Sequence, residues 1–272
     1  MPPDFHSLPS LGAESVTADF PGALRRHGLL PPRPSADVAH ADQSVLQQTQ
    51  ATTILAFKFA DGVLMAGDRR ATAANMIVYD RADKVLEIDR HSLMAIAGVP
   101  ATAWEMARVL EHSFQFYRRT QLQELSLDGK VRALSKLLRD NLGFVLQGVG
   151  VVVPIFATYD ETAKAARLYF YDAMGAQFEA TDYAASGSGS GAVRSVLHYE
   201  NTWGKKPLRK LRENEAILLA LRALETAANT DSATGGVDRR ADVFPIVKMI
   251  NEAGIETLPD ARLAKIFRSK LA

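Results

Sequence analysis

Gln50-Ala51-Thr52-Thr53-Ile54-Leu55-Ala56-Phe57 is the stretch on which the reading of this 272-residue chain turns. Upstream of it lie seven of the twelve prolines, all within the first 34 residues, and no sustained hydrophobic period. Such a segment cannot bury enough apolar surface to fold alone, so residues 1–51 are expected to form a loosely structured leader. Downstream, Thr53-Ile54-Leu55-Ala56-Phe57-Lys58-Phe59 reads as a strand and Ala60-Asp61-Gly62 as a tight turn. Val63-Leu64-Met65-Ala66-Gly67 then reads as the return strand of a hairpin. A β-rich domain therefore opens on a threonine. Once the Ala51–Thr52 bond is cut, Thr52 carries a hydroxyl nucleophile and, in its own α-amine of reference pKa about 7.7–8.0, a base able to take the hydroxyl proton.

The composition narrows the function classes. Hydrophobic residues make up 47% and charged residues 23% of the chain, ordinary values for a globular protein. A net charge of +1 supplies no global field, so neither nucleic acid nor an anionic membrane is an expected partner. The absence of cysteine excludes disulfides, thiolate metal sites and Cys nucleophiles, and suits a reducing cytoplasm. The opening Met1-Pro2-Pro3-Asp4-Phe5-His6 has no basic or apolar signal region, and no apolar run nears the ~18 residues that span a bilayer. The six histidines show no metal-ligand spacing, so no metal is expected.

Lys84-Val85-Leu86-Glu87-Ile88 and Leu93-Met94-Ala95-Ile96-Ala97-Gly98 suggest a second strand pair, and Ala101–Arg119 and Leu127–Gly148 carry helical periods. Strands are expected at Val151–Tyr159, Ala166–Tyr171 and Gln177–Ala180. A Gly/Ser knot, Ser186–Gly191, then leads into a helix through Tyr199. A longer helix over Glu213–Ala228, a strand over Phe244–Ile250 and a closing helix over Asp260–Ser269 complete the series. Strands, two helices, strands, then helices fit an α+β architecture of packed sheets with helices covering the outer faces.

An N-terminal Thr nucleophile has requirements. Its amine must be neutral, which a nearby cation favours. A buried cation requires a carboxylate partner. The tetrahedral intermediate requires a backbone N–H, often supplied by a Gly where chains approach closely. Gly67-Asp68-Arg69-Arg70, Arg81-Ala82-Asp83-Lys84-Val85, Ala97-Gly98, Ser186-Gly187-Ser188-Gly189-Ser190-Gly191 and Asp231-Ser232-Ala233-Thr234-Gly235-Gly236 offer these groups. Taken singly, each reads more readily as a strand-end turn, an edge charge or a flexible loop.

In order and together, these stretches and Thr52-Thr53-Ile54 resemble the catalytic β-subunits of 20S proteasomes, nearest to the actinobacterial type, over about residues 50–270. The resemblance implies a four-layer αββα sandwich of N-terminal nucleophile hydrolases, with residues 1–51 as a self-cleaved propeptide and 52–272 as the catalytic domain. It implies a threonine endopeptidase that degrades unfolded proteins inside a closed chamber, without a cofactor. Thr52 would be the nucleophile, Asp68 and Lys84 the charged pair beside it, and Gly98 N–H the oxyanion donor. Ser188, Asp231 and Thr234 would orient the freed N-terminus. The partners implied are proteasome α-subunits and further β-subunits in an α7β7β7α7 particle, gated by a ring-shaped ATPase. Ala71, Thr72, Ala82, Ile96, Pro100 and Trp104 match the substrate-pocket positions, and their apolar character implies a preference for large apolar residues. Two positions depart from the family pattern: Ala51 stands where Gly is usual before the cleaved bond, and Thr234 where Ser is common. Alanine is small and threonine keeps the hydroxyl, so both roles are expected to survive.

Three other readings fit parts of the sequence. Gly187-Ser188-Gly189-Ser190-Gly191-Ala192 satisfies the G-x-G-x-x-A dinucleotide pattern, but Ala180–Ala185 before it does not read as a buried parallel strand. An HslV-type peptidase would share Thr, Asp and Lys but has a very short leader and no Asp-Ser-Ala-Thr-Gly-Gly loop. A silent structural ring subunit typically lacks the Thr, the Lys or the Gly that this chain retains.

Overall fold

The computed structural model describes residues 52–73, 76–239 and 241–269; the expected leader, with Ala51, lies outside the described residues. In chain order the elements are β1 (Thr53–Phe59), β2 (Gly62–Gly67), β3 (Ala71–Ala73), β4 (Met76–Tyr79), β5 (Val85–Asp89) and β6 (Ser92–Ala95). Next come α1 (Pro100–Gln121), α2 (Leu127–Asp140), α3 (Leu142–Leu146), β7 (Ile155–Asp160), β8 (Ala165–Tyr171), β9 (Gln177–Glu179) and β10 (Tyr183–Gly187). The chain closes with α4 (Ser190–Trp203), α5 (Glu213–Thr230), β11 (Ile246–Asn251), β12 (Gly254–Thr257) and α6 (Asp260–Arg268).

Two five-stranded antiparallel sheets result, β10-β1-β2-β11-β12 and β5-β6-β7-β8-β9, with β3-β4 as a separate hairpin. β1 and β2 are apolar on both faces because both faces are covered. Ile54, Ala56, Val63 and Met65 meet Val85, Leu93, Ala95, Ile155 and Ala157 of the other sheet. Leu55, Phe57, Leu64 and Ala66 point the other way, against Val193 and Leu197 of α4 and Ile217, Leu221 and Leu224 of α5. On the far side Met94 and Phe156 pack under Ala103, Leu110, Leu134 and Leu138 of α1 and α2. Three apolar layers therefore separate four layers of secondary structure, the αββα order.

Local signals set several boundaries. Pro100 occupies the first turn of α1, where its missing N–H is no loss. Ser126 Oγ accepts the Gly129 N–H to cap α2. Glu215 accepts the Arg212 N–H at the start of α5. The single helix expected over Leu127–Gly148 breaks at Asn141, whose Nδ2 donates to Gly150 O at 2.6 Å and ties the helix end to the following loop. The strand expected from Val151 starts at Ile155, since Pro154 has no N–H to give a ladder; Val152 makes only an isolated bridge to Gly98. Tyr183–Gly187, which lacks an obvious strand pattern, pairs antiparallel with β1. That antiparallel edge has none of the crossover geometry a dinucleotide loop needs.

Candidate active site

The ends of five strands converge at one end of the sandwich. Thr52 directly precedes β1, Asp68 follows β2, Lys84 precedes β5, Gly98 lies three residues beyond β6, and Ser188 follows β10. Asp231 caps the C-terminus of α5 and begins the loop that carries Thr234.

Asp68 is fully enclosed and uses both oxygens. Oδ1 receives Lys84 Nζ at 2.8 Å and Thr53 N at 2.7 Å, while Oδ2 receives Arg70 N at 2.9 Å and Gly235 N at 3.0 Å. Three backbone donors and the ion pair with Lys84 offset the cost of removing this carboxylate from water. Lys84, nearly as buried, also donates to Arg70 O. Burial pushes the Lys84 ammonium below its ordinary value of 10.5, against the opposing pull of Asp68. It is thus an amine more ready than usual to release its proton.

A second polar group meets Thr52 from the other side. Thr52 O accepts the Ser188 N–H at 3.0 Å. Ser188 Oγ donates to Asp231 Oδ2 at 2.6 Å, and Thr234 Oγ donates to the same oxygen at 2.5 Å. Asp231 Oδ1 receives Ala233 N at 3.1 Å. Burial works to raise the Asp231 pKa, but the hydroxyls of Ser188 and Thr234, the Ala233 amide and the Arg70 charge hold it below its ordinary 3.8.

Two glycines permit this convergence. Gly187 has φ +96°, and a Cβ there would lie 1.8 Å from Thr52 O, so only glycine lets β10 run this close to the start of β1. Gly98 has φ +113°, with room for no side chain against Val151 O. Val99 N donates to Val151 O and Val153 N to Ala97 O, which makes Gly98 and Val152 a non-hydrogen-bonded pair. The Gly98 N–H therefore points away from that segment.

Of two adjacent threonines, Thr53 has its hydroxyl engaged on both sides. Its Oγ accepts the Gly189 N–H at 2.9 Å and lies 2.5 Å from Thr234 Oγ, and the residue is fully buried. Sequence reasoning gave Thr53 no role of its own beyond opening a strand and completing a motif; a fully buried polar residue at the start of β1 is what the structure adds. Arg70 was also missed as a brace. Its Nη1 donates to Ser232 O and Thr234 O and so fastens the Asp231 loop to the exit of β2.

The six pocket positions do not share one wall. Ala82 and Trp104 line a cleft of about 740 Å³ beside β5, together with Tyr79, Leu86 and Ala107. Ion-paired Lys248 and Glu87 close one side of it, 3.0 Å apart. Ile96 is buried in the layer under α1, Thr72 is buried on β3, and Ala71 and Pro100 are half-buried.

Residues 48–241 match a family profile described as "Proteasome subunit". The chain is 39% identical over 230 residues to a "Proteasome subunit beta" of Streptomyces griseus, covering 84% of this chain and 79% of that protein. It is 38% identical over 256 residues to "Proteasome subunit beta 2" of Thermomonospora curvata, covering 93% and 88% respectively. A "Proteasome subunit beta" of Acidimicrobium ferrooxidans is 39% identical over 220 residues, 81% of this chain and 78% of that protein.

Proposed function

The chain belongs to the proteasome subunit family and is a threonine endopeptidase subunit, and from that premise we propose that Thr52 is its nucleophile and the Ala51–Thr52 bond its maturation site. One observation carries the reading: the buried Asp68–Lys84 pair and the Ser188–Asp231–Thr234 group reach the chain at Thr52 and Thr53 from opposite sides.

While residues 1–51 remain attached, the Thr52 nitrogen is an amide and has no lone pair to serve as base. Maturation begins when Thr52 Oγ adds to the Ala51 carbonyl; the hydroxyl proton passes to the departing Thr52 nitrogen as the C–N bond breaks, and water hydrolyses the resulting ester. The freed α-amine afterwards takes the Thr52 hydroxyl proton as Oγ adds to a substrate carbonyl, and returns it to the departing amine. The resulting acyl-enzyme is cleared by a water that the same amine activates. Lys84, charged and close to Asp68, favours the neutral form of that amine; the Gly98 N–H receives the oxyanion. Asp231, with Ser188 and Thr234, orients the new N-terminus. The Thr52 β-methyl restricts χ1 and holds Oγ in place. We assign the preference for a large apolar residue before the scissile bond to Ala82 and Trp104, in a cleft whose lining also includes six charged residues.

As a family member the chain assembles with other proteasome subunits. We assign it to an α7β7β7α7 particle in the cytoplasm, fed by a ring-shaped ATPase. The whole of β4 supports burial against a neighbour, since Met76, Ile77, Val78 and Tyr79 are all more than half exposed. No helix among the described residues is long and apolar enough to cross a membrane.

The test is the intact mass of the chain after co-expression with its α partner, beside a Thr52→Ala control. Loss of residues 1–51 from the wild type alone is the expected result. An uncut chain in a complete particle would leave a structural ring subunit, and cleavage of the control would mean that another protease trims the leader.

A further inference from the structure

Thr53 is bonded to both polar groups at once. Its amide donates to Asp68 Oδ1 at 2.7 Å, the same oxygen that holds Lys84 Nζ at 2.8 Å. Its hydroxyl lies between Gly189 N at 2.9 Å and Thr234 Oγ at 2.5 Å. Thr234 Oγ in turn lies 2.5 Å from Asp231 Oδ2.

The direction of each proton in this run follows from elementary valence. An ionised carboxylate only accepts, so the Thr234 O–H goes to Asp231. Thr234 Oγ can then only accept from Thr53, so the Thr53 O–H goes to Thr234. The Gly189 N–H occupies one of the two lone pairs on Thr53 Oγ. No hydroxyl in the run is free to rotate, and the residue is closed to solvent that could substitute for a lost partner. A valine of the same shape at position 53 would strand the Gly189 N–H and a Thr234 lone pair in a dry site. Serine would preserve both bonds.

Thr53 shares a peptide bond with Thr52, so fixing the Thr53 nitrogen and side chain fixes the Thr52 carbonyl, which accepts the Ser188 N–H at 3.0 Å. We propose that Thr53 is a positioning residue for the adjacent nucleophile, its amide held by the Asp68–Lys84 pair and its hydroxyl by the Asp231 network. The proposal rests on the reading of Thr52 as nucleophile. Thr53 touches no reacting atom; it clamps the backbone that carries one.

The experiment uses the full chain co-expressed with its α partner as wild type, Thr53→Val, Thr53→Ser, Thr234→Val and the Thr53→Val/Thr234→Val double variant. Peptide hydrolysis is measured per active site, titrated with a covalent inhibitor of the N-terminal threonine, so that poor assembly does not count as poor turnover. Misplacing a nucleophile by a fraction of an ångström predicts a fall in kcat of about 30-fold for Thr53→Val with KM within about twofold. Thr53→Ser should stay within about threefold of wild type. The double variant should be no worse than the more damaged single, because both break one chain of bonds. Unchanged turnover in Thr53→Val, equal loss in the Val and Ser variants, or additive losses in the double variant would each overturn the proposal. Should Thr53→Val fail to assemble, an assembled, leader-free Thr53→Ser without turnover overturns it alone. A Thr52→Ala particle that still cleaves peptide would instead overturn the nucleophile reading, and this proposal with it.

Discussion

Asp68 and Asp231 are two carboxylates with different work at the same site. Asp68 is sealed, receives four donors and stabilises the Lys84 ammonium, so its charge is held in place by structure. Asp231 is half-buried and is bonded to the hydroxyls of Ser188 and Thr234. Its pKa lies below the 3.8 of an unfolded chain. In the pH window just under 3.8 the unfolded state therefore binds more protons than the folded one, and stability rises with pH there. The contribution is fully present above 3.8 and is lost as pH falls through the lower folded value. Chemical unfolding of wild type and Asp231→Asn at pH 7 and pH 3 should show the gap between them narrowing at the lower pH. A gap of constant size would mean that Asp231 carries no proton linkage. Asp68, Lys84 and Thr52 stood out as candidates in the sequence because each lies at a strand end in a recognisable run. Thr53 and Arg70 did not, since the Thr53 hydroxyl and the Arg70 guanidinium bond to residues more than 130 positions away.

At the scale of elements, the pairing of β10 with β1 decides whether the site forms. Gly187 faces Thr53 across this pair, and the Ser188 N–H just beyond it donates to Thr52 O. A side chain at 187 would meet Thr52 O at less than bonding clearance and would need a positive φ that L-residues resist. Gly187→Ala is expected to cost about 1–3 kcal/mol from backbone strain and to lower peptide hydrolysis by about 100-fold as β10 moves away. Thermal unfolding and the mass of the leader-bearing chain check both effects; full maturation with normal turnover would contradict them. β10 itself escaped sequence reading, because Tyr183-Ala184-Ala185-Ser186-Gly187 contains no β-branched residue and only one aromatic. It is a strand because β1 offers an unpaired edge. The long apolar runs of β1 and β2, by contrast, were plain from sequence.

Over the whole molecule, the reactive end of the sandwich and its opposite end are separable. β5 leads from Lys84 at one end to Asp89 at the other, roughly 16 Å away at the rise of an extended strand. There Asp89 Oδ2 lies 2.7 Å from Lys130 Nζ of α2, with side chains 14% and 8% exposed, and the lysine also reaches Ser92 Oγ. Removing the lysine leaves a largely buried carboxylate without its cation. Lys130→Ala is expected to destabilise the fold by about 3 kcal/mol. Turnover per titrated site should remain within about twofold of wild type. A fall in turnover that tracks the loss of stability would show that the two ends are coupled.

The sequence by itself determined the class of protein: its apolar runs demanded two covered sheets, and its Thr, Asp, Lys and Gly stood at the ends of those runs in the order of one family. These are local properties, readable because hydrophobic period and turn chemistry act over a few residues. Only the tertiary structure decided how the parts meet. It joined Thr53 to Gly189, Thr234 and Asp68, placed Ile96 in the core under α1 while leaving Trp104 on the cleft, and recruited β10 as a strand. Each depends on contacts between segments distant in sequence. Which side chain fills a layer and which faces a cleft is set by what packs against it.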